Sequence, residues 1–327
     1  MELPPQTLTE MLRIMLLSRR LDEQAWSLYR QGKASYHLSA IGHEAAQVAA
    51  GLALQRGRDW AAPYYRDLAL LLALGLQPLE YLRMLLGRKS RVGADGRAMP
   101  GSWNLKEAHV LSTSGLAANH VLHAVGIAQA IRYKREEQVV LASCGEGATS
   151  QGEWYEALNW AAVQRLPVVF LVQNNGIALS TRQAQQMAAR SVLQKAQGLG
   201  LPGRRVDGLD PVQVYRAVSN AAADVRAGGG PALVEALVLR IPPHSSDDDD
   251  RTYRTRSEVD EARRQDPLRT FRRSLLQAGH LAQEQVEQME AGVNAQVEQA
   301  LQEAEQTPFP APEEAAGRLY AQEGADG

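Results

Sequence analysis

Glu146 stands between two glycines, Gly145 and Gly147, directly after the apolar run from Val139 to Cys144. The next apolar run, Pro167 to Val172, ends in Gln173-Asn174-Asn175-Gly176. Parallel α/β sheets bind their ligands beyond the carboxyl ends of the strands. Glycines there let the backbone approach an anion, and a helix beginning near Glu153 adds the positive end of its dipole. Glu146 alone would repel a phosphate, and a divalent cation resolves the conflict. Glu146 and the Asn175 amide supply hard oxygen ligands and a diphosphate supplies others, as magnesium requires. Taken singly, the two motifs also read as a turn glutamate and an Asn-Gly turn. Their occurrence at two successive strand ends points to a metal-diphosphate site.

Other chemistry-bearing residues fit less well. His120 and His123 share a helix face but have no third ligand, so they read as packing residues. Cys144 reads as a small core residue. A dinucleotide site does not fit, because the full G-x-G-x-x-G is missing after the strand.

The elements that must position these residues follow from apolar spacing. Thr9 is placed to cap a helix with Leu12, Ile14, Leu16, Leu17, Leu21 and Trp26 at helical intervals up to Gly32. A small-residue helix opens at Ile41, and "DWAAPYYRD" reads as a short strand or loop before a leucine-rich helix from Leu68. Residues 89–104 form a glycine- and charge-rich loop of a length that is often functional. Then helix and strand alternate: a helix from Leu116 to Arg132, the strand "QVVLA", a helix from Glu153 to Gln164, and the strand "PVVFLV". "RRVDGLD" and "ALVEALVLRI" add strands around a helix from Val212 to Arg226. Near-continuous apolar strands imply an α/β fold with a parallel sheet covered by helices on both faces. The expected division is an N-terminal helical arm over 1–35, an α/β domain over 36–262, and a helical extension with its tail over 263–327. The tail from Thr307 lacks periodicity and is expected to be disordered without a partner.

The chain of 327 residues has 22% charged and 45% hydrophobic residues, as ordinary globular proteins do. A net charge of -2 argues against nucleic acid bound through a general basic surface. The one cysteine excludes an internal disulfide, no secretory signal is visible, and no run reaches the ~18 apolar residues of a membrane span. The expectation is a soluble, cytoplasmic protein without a membrane partner.

The stretch "GEGATSQGEWYEALNWAAVQRLPVVFLVQNNGIALST" carries G-[DE]-G followed by N-N, the thiamine-diphosphate fingerprint. With "LSAIGHEAAQVAAGLAL", "PYYRDLAL", "RAMPG", "VDGLD" and "PHSSDDDDRTYR" it resembles the alpha subunit of 2-oxo acid dehydrogenases, collinearly over roughly residues 8 to 305. Glutamate at position 146 and the "HSSDDDDRTYR" loop resemble the branched-chain (2-oxoisovalerate) type. The resemblance implies the cofactors thiamine diphosphate and Mg2+, with Glu146, the Asn175 side chain and the Ile177 carbonyl on the metal. It places Tyr65, Arg66, Gly145, Gly147 and Ala148 at the diphosphate, and brings Arg240 and His244 to the diphosphate and reacting centre. His244 becomes the candidate catalytic residue, for proton handling or for positioning a lipoyl group. Ser245 matches a serine phosphorylated in animal relatives.

Two departures bear on the site. Ser102 stands where relatives often carry histidine. Gly115, Leu116 and Ala117 stand where they read Ser-Pro followed by a large apolar residue that bends the cofactor. Either Leu116 serves after a one-residue shift, or Ala117 leaves that wedge missing. Potassium is not expected. The implied activity is oxidative decarboxylation of a small 2-oxo acid and acyl transfer to the lipoyl domain of an acyltransferase. It would require a separate beta subunit in an alpha2beta2 heterotetramer. Pyruvate or acetoin specificity, and a degenerate assembly subunit, are the competing readings.

Overall fold

The structure, a computed structural model, describes residues 3–93, 95, 97–113 and 115–316. In chain order it runs α1 (Pro5–Arg30), α2 (Glu44–Ala53), β1 (Trp60–Ala62), α3 (Leu68–Leu74), α4 (Pro78–Leu85), α5 (Asn119–Lys134) and β2 (Val140–Gly145). There follow α6 (Gly152–Gln164), β3 (Val168–Asn174), the short strands β4 (Ile177–Ala178) and β5 (Thr181–Arg182), α7 (Gln183–Gln186) and α8 (Val192–Gly198). The chain then adds β6 (Gly203–Asp207), α9 (Pro211–Arg226), β7 (Ala232–Leu237), α10 (Arg256–Arg264), α11 (Pro267–Gln277) and α12 (Gln283–Gln306).

Five strands form one sheet in the order β1-β2-β3-β7-β6, every pairing parallel. Alternate side chains of each strand feed two cores. Val140, Ala142 and Cys144 of β2, with Val168, Phe170 and Val172 of β3, pack under α5, α6 and α8. Leu141, Val169 and Leu171 face the other way, into the core shared with α1, α2, α9 and α12. This is the α/β sheet covered on both faces that the apolar runs imply. Trp154 of α6 is fully buried in the first core, where truncation to alanine would cost about 3–5 kcal/mol. The second core includes Met11, Leu12, Met15 and Leu21, so α1 lies in the body of the fold.

Several helix starts differ from the sequence expectation. The first helix begins at Pro5, not at a Thr9 cap, and Thr9 Oγ1 instead donates to the Pro5 carbonyl at 2.9 Å. Proline at the first position needs no N–H partner and already has helical φ. The helix expected from Ile41 begins at Glu44, because Gly42 is left-handed at φ 97°. A Cβ on Gly42 would come within 2.1 Å of the Leu239 carbonyl oxygen, so the turn packs directly on the chain leaving β7. The helix expected from Leu116 begins at Asn119 after Ala118, also left-handed at φ 65°. Residues 115–118 therefore form a turn at the cavity rim. Residues 256–306 form the three helices α10, α11 and α12.

The tail after Thr307 is ordered as far as Ala316. The guanidinium of Arg88 donates to the Thr307 carbonyl at 2.9 Å and lies 3.8 Å from the Phe309 ring, and Lys89 pairs with Glu314 at 2.8 Å. The remaining tail, 317–327, lies outside the described residues. No described helix is long and apolar enough to cross a membrane.

Candidate active site at the ends of β2 and β3

β2 and β3 are adjacent and in register, with Gly145 opposite Gln173, so Glu146 and Asn175 leave the sheet side by side. The Asn175 N–H donates to Glu146 Oε2 at 3.2 Å. Glu146 is 2% exposed, and its Oε1 is buried with no hydrogen-bond partner. Burial raises the Glu146 pKa, opposed by the Asn175 N–H and the charges of Arg240 and Arg66. The Asn175 side-chain oxygen accepts from the Ile177 N–H at 3.1 Å, closing the turn that presents the Ile177 carbonyl.

All three predicted metal residues, Glu146, Asn175 and Ile177, line one cavity of about 320 Å3. So do the predicted cofactor-binding residues Tyr65, Arg66, Gly115, Leu116, Gly145, Gly147 and Ala148, with Arg240 and His244 opposite. A Cβ on Gly147 would meet Ala178 Cβ at 2.6 Å, so glycine is what lets β4 close over this turn. Glu146 opens a single 3-10 turn that leads into α6, whose N-terminus therefore points toward the cavity end of the sheet.

Arg66 is not the exposed partner of Asp67 that adjacency in sequence allows. It is buried, donates through Nη1 to the Ser39 carbonyl and through Nη2 to the His244 carbonyl at 3.2 Å, and keeps Nε without a partner. Arg240 behaves alike. It donates to the carbonyls of Ile177 at 3.2 Å and Leu179 at 2.8 Å, and its Nε is also unpartnered. The Ile177 carbonyl thus already accepts one hydrogen bond and keeps one lone pair for a metal.

The His244 ring meets Arg240 Nη1 at 3.4 Å through Nδ1. Arginine can only donate, so Nδ1 holds the lone pair and Nε2 the proton. Burial and the charges of Arg66 and Arg240 lower the His244 pKa to about 3, leaving the ring neutral near pH 7. Three of the four aspartates beside it are tied into the loop, while Asp247 and Asp249 remain exposed. Asp247 accepts from Ser245 Oγ at 2.7 Å, Asp248 accepts from the His244 N–H at 2.8 Å and from Tyr253, and Asp250 pairs with Arg254. Ser245, the residue matched to a phosphorylated serine, is buried with its hydroxyl on Asp247.

Among the residues read as packing, His120 donates through Nε2 to the Ser143 carbonyl at 2.7 Å and lines the cavity floor, whereas His123 is exposed. Cys144 also lines the cavity; burial pushes its thiol up to about 12, which keeps it unreactive. Leu116 is 68% exposed at the cavity rim, Ala117 and Gly115 are exposed beside it, and Ser102 lines a smaller adjoining pocket.

The sequence reading missed the polar layer beneath the site. Gln173 Nε2 donates to Asp67 Oδ1 at 2.5 Å and to Ser143 Oγ at 2.8 Å, and its Oε1 receives Gln47 Nε2 at 3.0 Å and His43 Nδ1 at 2.9 Å. A glutamine inside an otherwise apolar strand run is the signal that marks this layer. Burial raises Asp67 to about 6 and lowers His43 to about 3.

The buried carboxylate and the amide thus stand side by side at adjacent strand tips, at the edge where parallel α/β sheets bind their ligands. The chain belongs to the dehydrogenase E1 component family, whose description matches residues 12–313. It is 40% identical to the 2-oxoisovalerate dehydrogenase subunit alpha of Bacillus subtilis, over 98% of this chain and 97% of the relative. A 3-methyl-2-oxobutanoate dehydrogenase subunit alpha of Mycobacterium tuberculosis is 38% identical over 89% of this chain and 76% of its own length. A pyruvate dehydrogenase E1 component subunit alpha of Staphylococcus aureus is 34% identical over 94% of this chain and 80% of its own. Membership makes the chain a 2-oxo acid dehydrogenase component, as the resemblance implies.

Proposed function

We propose that this chain is the alpha subunit of a branched-chain 2-oxo acid dehydrogenase, acting on 3-methyl-2-oxobutanoate with thiamine diphosphate and Mg2+. The observation that carries the reading is the unpartnered Glu146 Oε1, buried beside Asn175 at two strand tips. A buried carboxylate oxygen without a donor is costly, and a cation removes that cost. Glu146, the Asn175 side chain and the Ile177 carbonyl fit a Mg2+ ion whose remaining ligands are phosphate oxygens and water. The unpartnered Nε groups of Arg66 and Arg240 supply donors for a diphosphate.

Thiamine diphosphate, when bound, supplies the electron sink for loss of carbon dioxide. The chain's own part is to grip the charged end, exclude water with Tyr64 and Tyr65, and present the His244 Nε2 proton. Acyl transfer to a lipoyl domain, a beta subunit in an alpha2beta2 assembly and a cytoplasmic setting belong to the same proposal. The branched-chain choice rests on the two more similar relatives, which bear branched-chain names.

The test is reconstitution with the beta chain. Calorimetry should show thiamine diphosphate binding that depends on Mg2+, and turnover of 3-methyl-2-oxobutanoate should exceed that of pyruvate. Preference for pyruvate would move the assignment within the family. Absence of cofactor binding would leave an assembly subunit, the reading that Ser102 and the exposed Gly115 and Ala117 favour.

A further inference from the structure

Asp22, eight residues before the end of α1, takes no part in the cavity lining, yet it is 1% exposed and holds three donors. His37 Nε2 lies 2.9 Å from Oδ1, Ser39 Oγ donates to the same oxygen at 2.7 Å, and the Ala40 N–H donates to Oδ2 at 2.6 Å. The segment fixed in this way has two further contacts. The Ser39 carbonyl accepts from Arg66. His37 exchanges bonds with the loop of His244, its N–H donating to Ser246 Oγ at 3.0 Å and its carbonyl accepting from the Ser246 N–H at 2.9 Å. Arg66 then closes the circuit on the His244 carbonyl at 3.2 Å.

Burial disfavours the Arg66 charge, and the neighbouring Tyr64 and Tyr65 and, least of these, Asp22 favour it. From this geometry we infer that Asp22 is a positioning residue for the cofactor site. Through residues 37–40 it sets where Arg66 presents its free Nε and where the 244–250 loop holds His244. The inference deepens the proposed function and rests on it for the identity of the ligand. It assigns a site role to the N-terminal helix, which reaches no ligand itself.

A matched control exists at the other end of the sheet. Asp59 is 2% exposed and as heavily used, binding the N–H groups of Gln55 and Val139 and both terminal nitrogens of Arg226. It sits just before β1, at the ends of the strands remote from the cavity. Asp22→Asn and Asp59→Asn each remove a buried carboxylate charge, one on the site side and one away from it, Asp59 being also ion-paired with Arg226.

The experiment measures amide hydrogen exchange on the full-length chain and calorimetry with thiamine diphosphate and Mg2+ on the assembled protein. D22N should speed exchange in 37–41 and 244–248 and weaken cofactor binding roughly tenfold, as loss of an outer-shell partner does. D59N should lower stability at least as much, since it strips Arg226 of its partner, and change neither. Ser39→Ala, which keeps the charge and removes one donor, should give the D22N pattern at smaller size and serves if D22N does not fold. Unchanged exchange in both segments, or faster exchange with unchanged affinity, would overturn the inference. Failure of the parent protein to bind the cofactor would instead overturn the proposed ligand. The exchange measurement would still decide whether Asp22 tethers the two segments.

Discussion

Glu146 and Asn175 touch through one carboxylate oxygen only: Oε2 receives the Asn175 N–H at 3.2 Å, and Oε1 is left buried and unpaired. The two oxygens therefore have separate tasks. One locks the β2 tip to the β3 tip, and the other is the oxygen that the proposed Mg2+ would meet. A site that were merely a structural turn would satisfy both oxygens or leave the side chain in water, because an unmet buried carboxylate oxygen is expensive.

Glu146→Gln tests this division. The amide keeps an oxygen for the Asn175 N–H but gives a metal no charge. Mg2+-dependent binding of thiamine diphosphate should weaken by about tenfold or more. Thermal stability should hold or rise, since the substitution removes a charge that burial disfavours. Calorimetry with and without Mg2+, beside a melting curve, reads both arms; unchanged Mg2+ dependence would remove Glu146 from the metal.

Much of this site was legible because its residues sit at places periodicity marks. The runs ending in Gly145-Glu146-Gly147 and Gln173-Asn174-Asn175 locate two neighbouring strand tips, and parallel pairing puts their ligand-bearing ends on the same edge. What escaped were tertiary facts. Ala118 adopts a left-handed conformation that delays α5 to Asn119, and no local pattern announces that for alanine. The acceptors that hold Arg66, the carbonyls of Ser39 and His244, come from distant segments that no local pattern connects to it. The β4–β5 ladder, only two residues per strand, is too short for any alternation to show.

Gly147→Ala should strain the cradle itself. The new Cβ would stand 2.6 Å from Ala178 Cβ, so β4 must move away from the turn. Overpacking of this kind costs about 1–3 kcal/mol. The companion change Ala178→Gly should recover part of the loss in the double variant. Urea denaturation of the two single variants and the double variant checks it, and additive losses would mean that the clash is relieved elsewhere.

Leu116 offers a separation of stability from function. It is 68% exposed, so Leu116→Ala should alter stability by no more than about 0.5 kcal/mol. If Leu116 is the residue that bends the cofactor, the same change should lower kcat of the reconstituted enzyme by roughly tenfold through misplaced reacting groups. Cofactor affinity should stay near the parent value. Equal kcat in variant and parent would transfer the role away from Leu116.

The pH dependence of stability follows from two histidines, His43 buried and His244 half-buried. Burial, together with the charges of Arg66 and Arg240, lowers His244 and His43 from the ordinary 6.5 to about 3. Between those values the unfolded chain binds protons that the folded chain refuses, so stability rises with pH across the window. It is fully present above about pH 6.5 and is lost progressively as pH falls toward 3. Asp67, raised by burial from 3.8 to about 6, works in the opposite sense and blunts the effect between those two values. His244→Gln removes one of the two histidines without touching the sheet. Its unfolding free energy, followed by urea titration from about pH 7.5 down to about pH 4.5, should therefore fall less steeply than the parent's, by at most one proton. Parallel slopes for parent and variant would show that His244 titrates in the folded protein as it does in the unfolded chain, and would return a protonated, not neutral, imidazole to the site at acid pH.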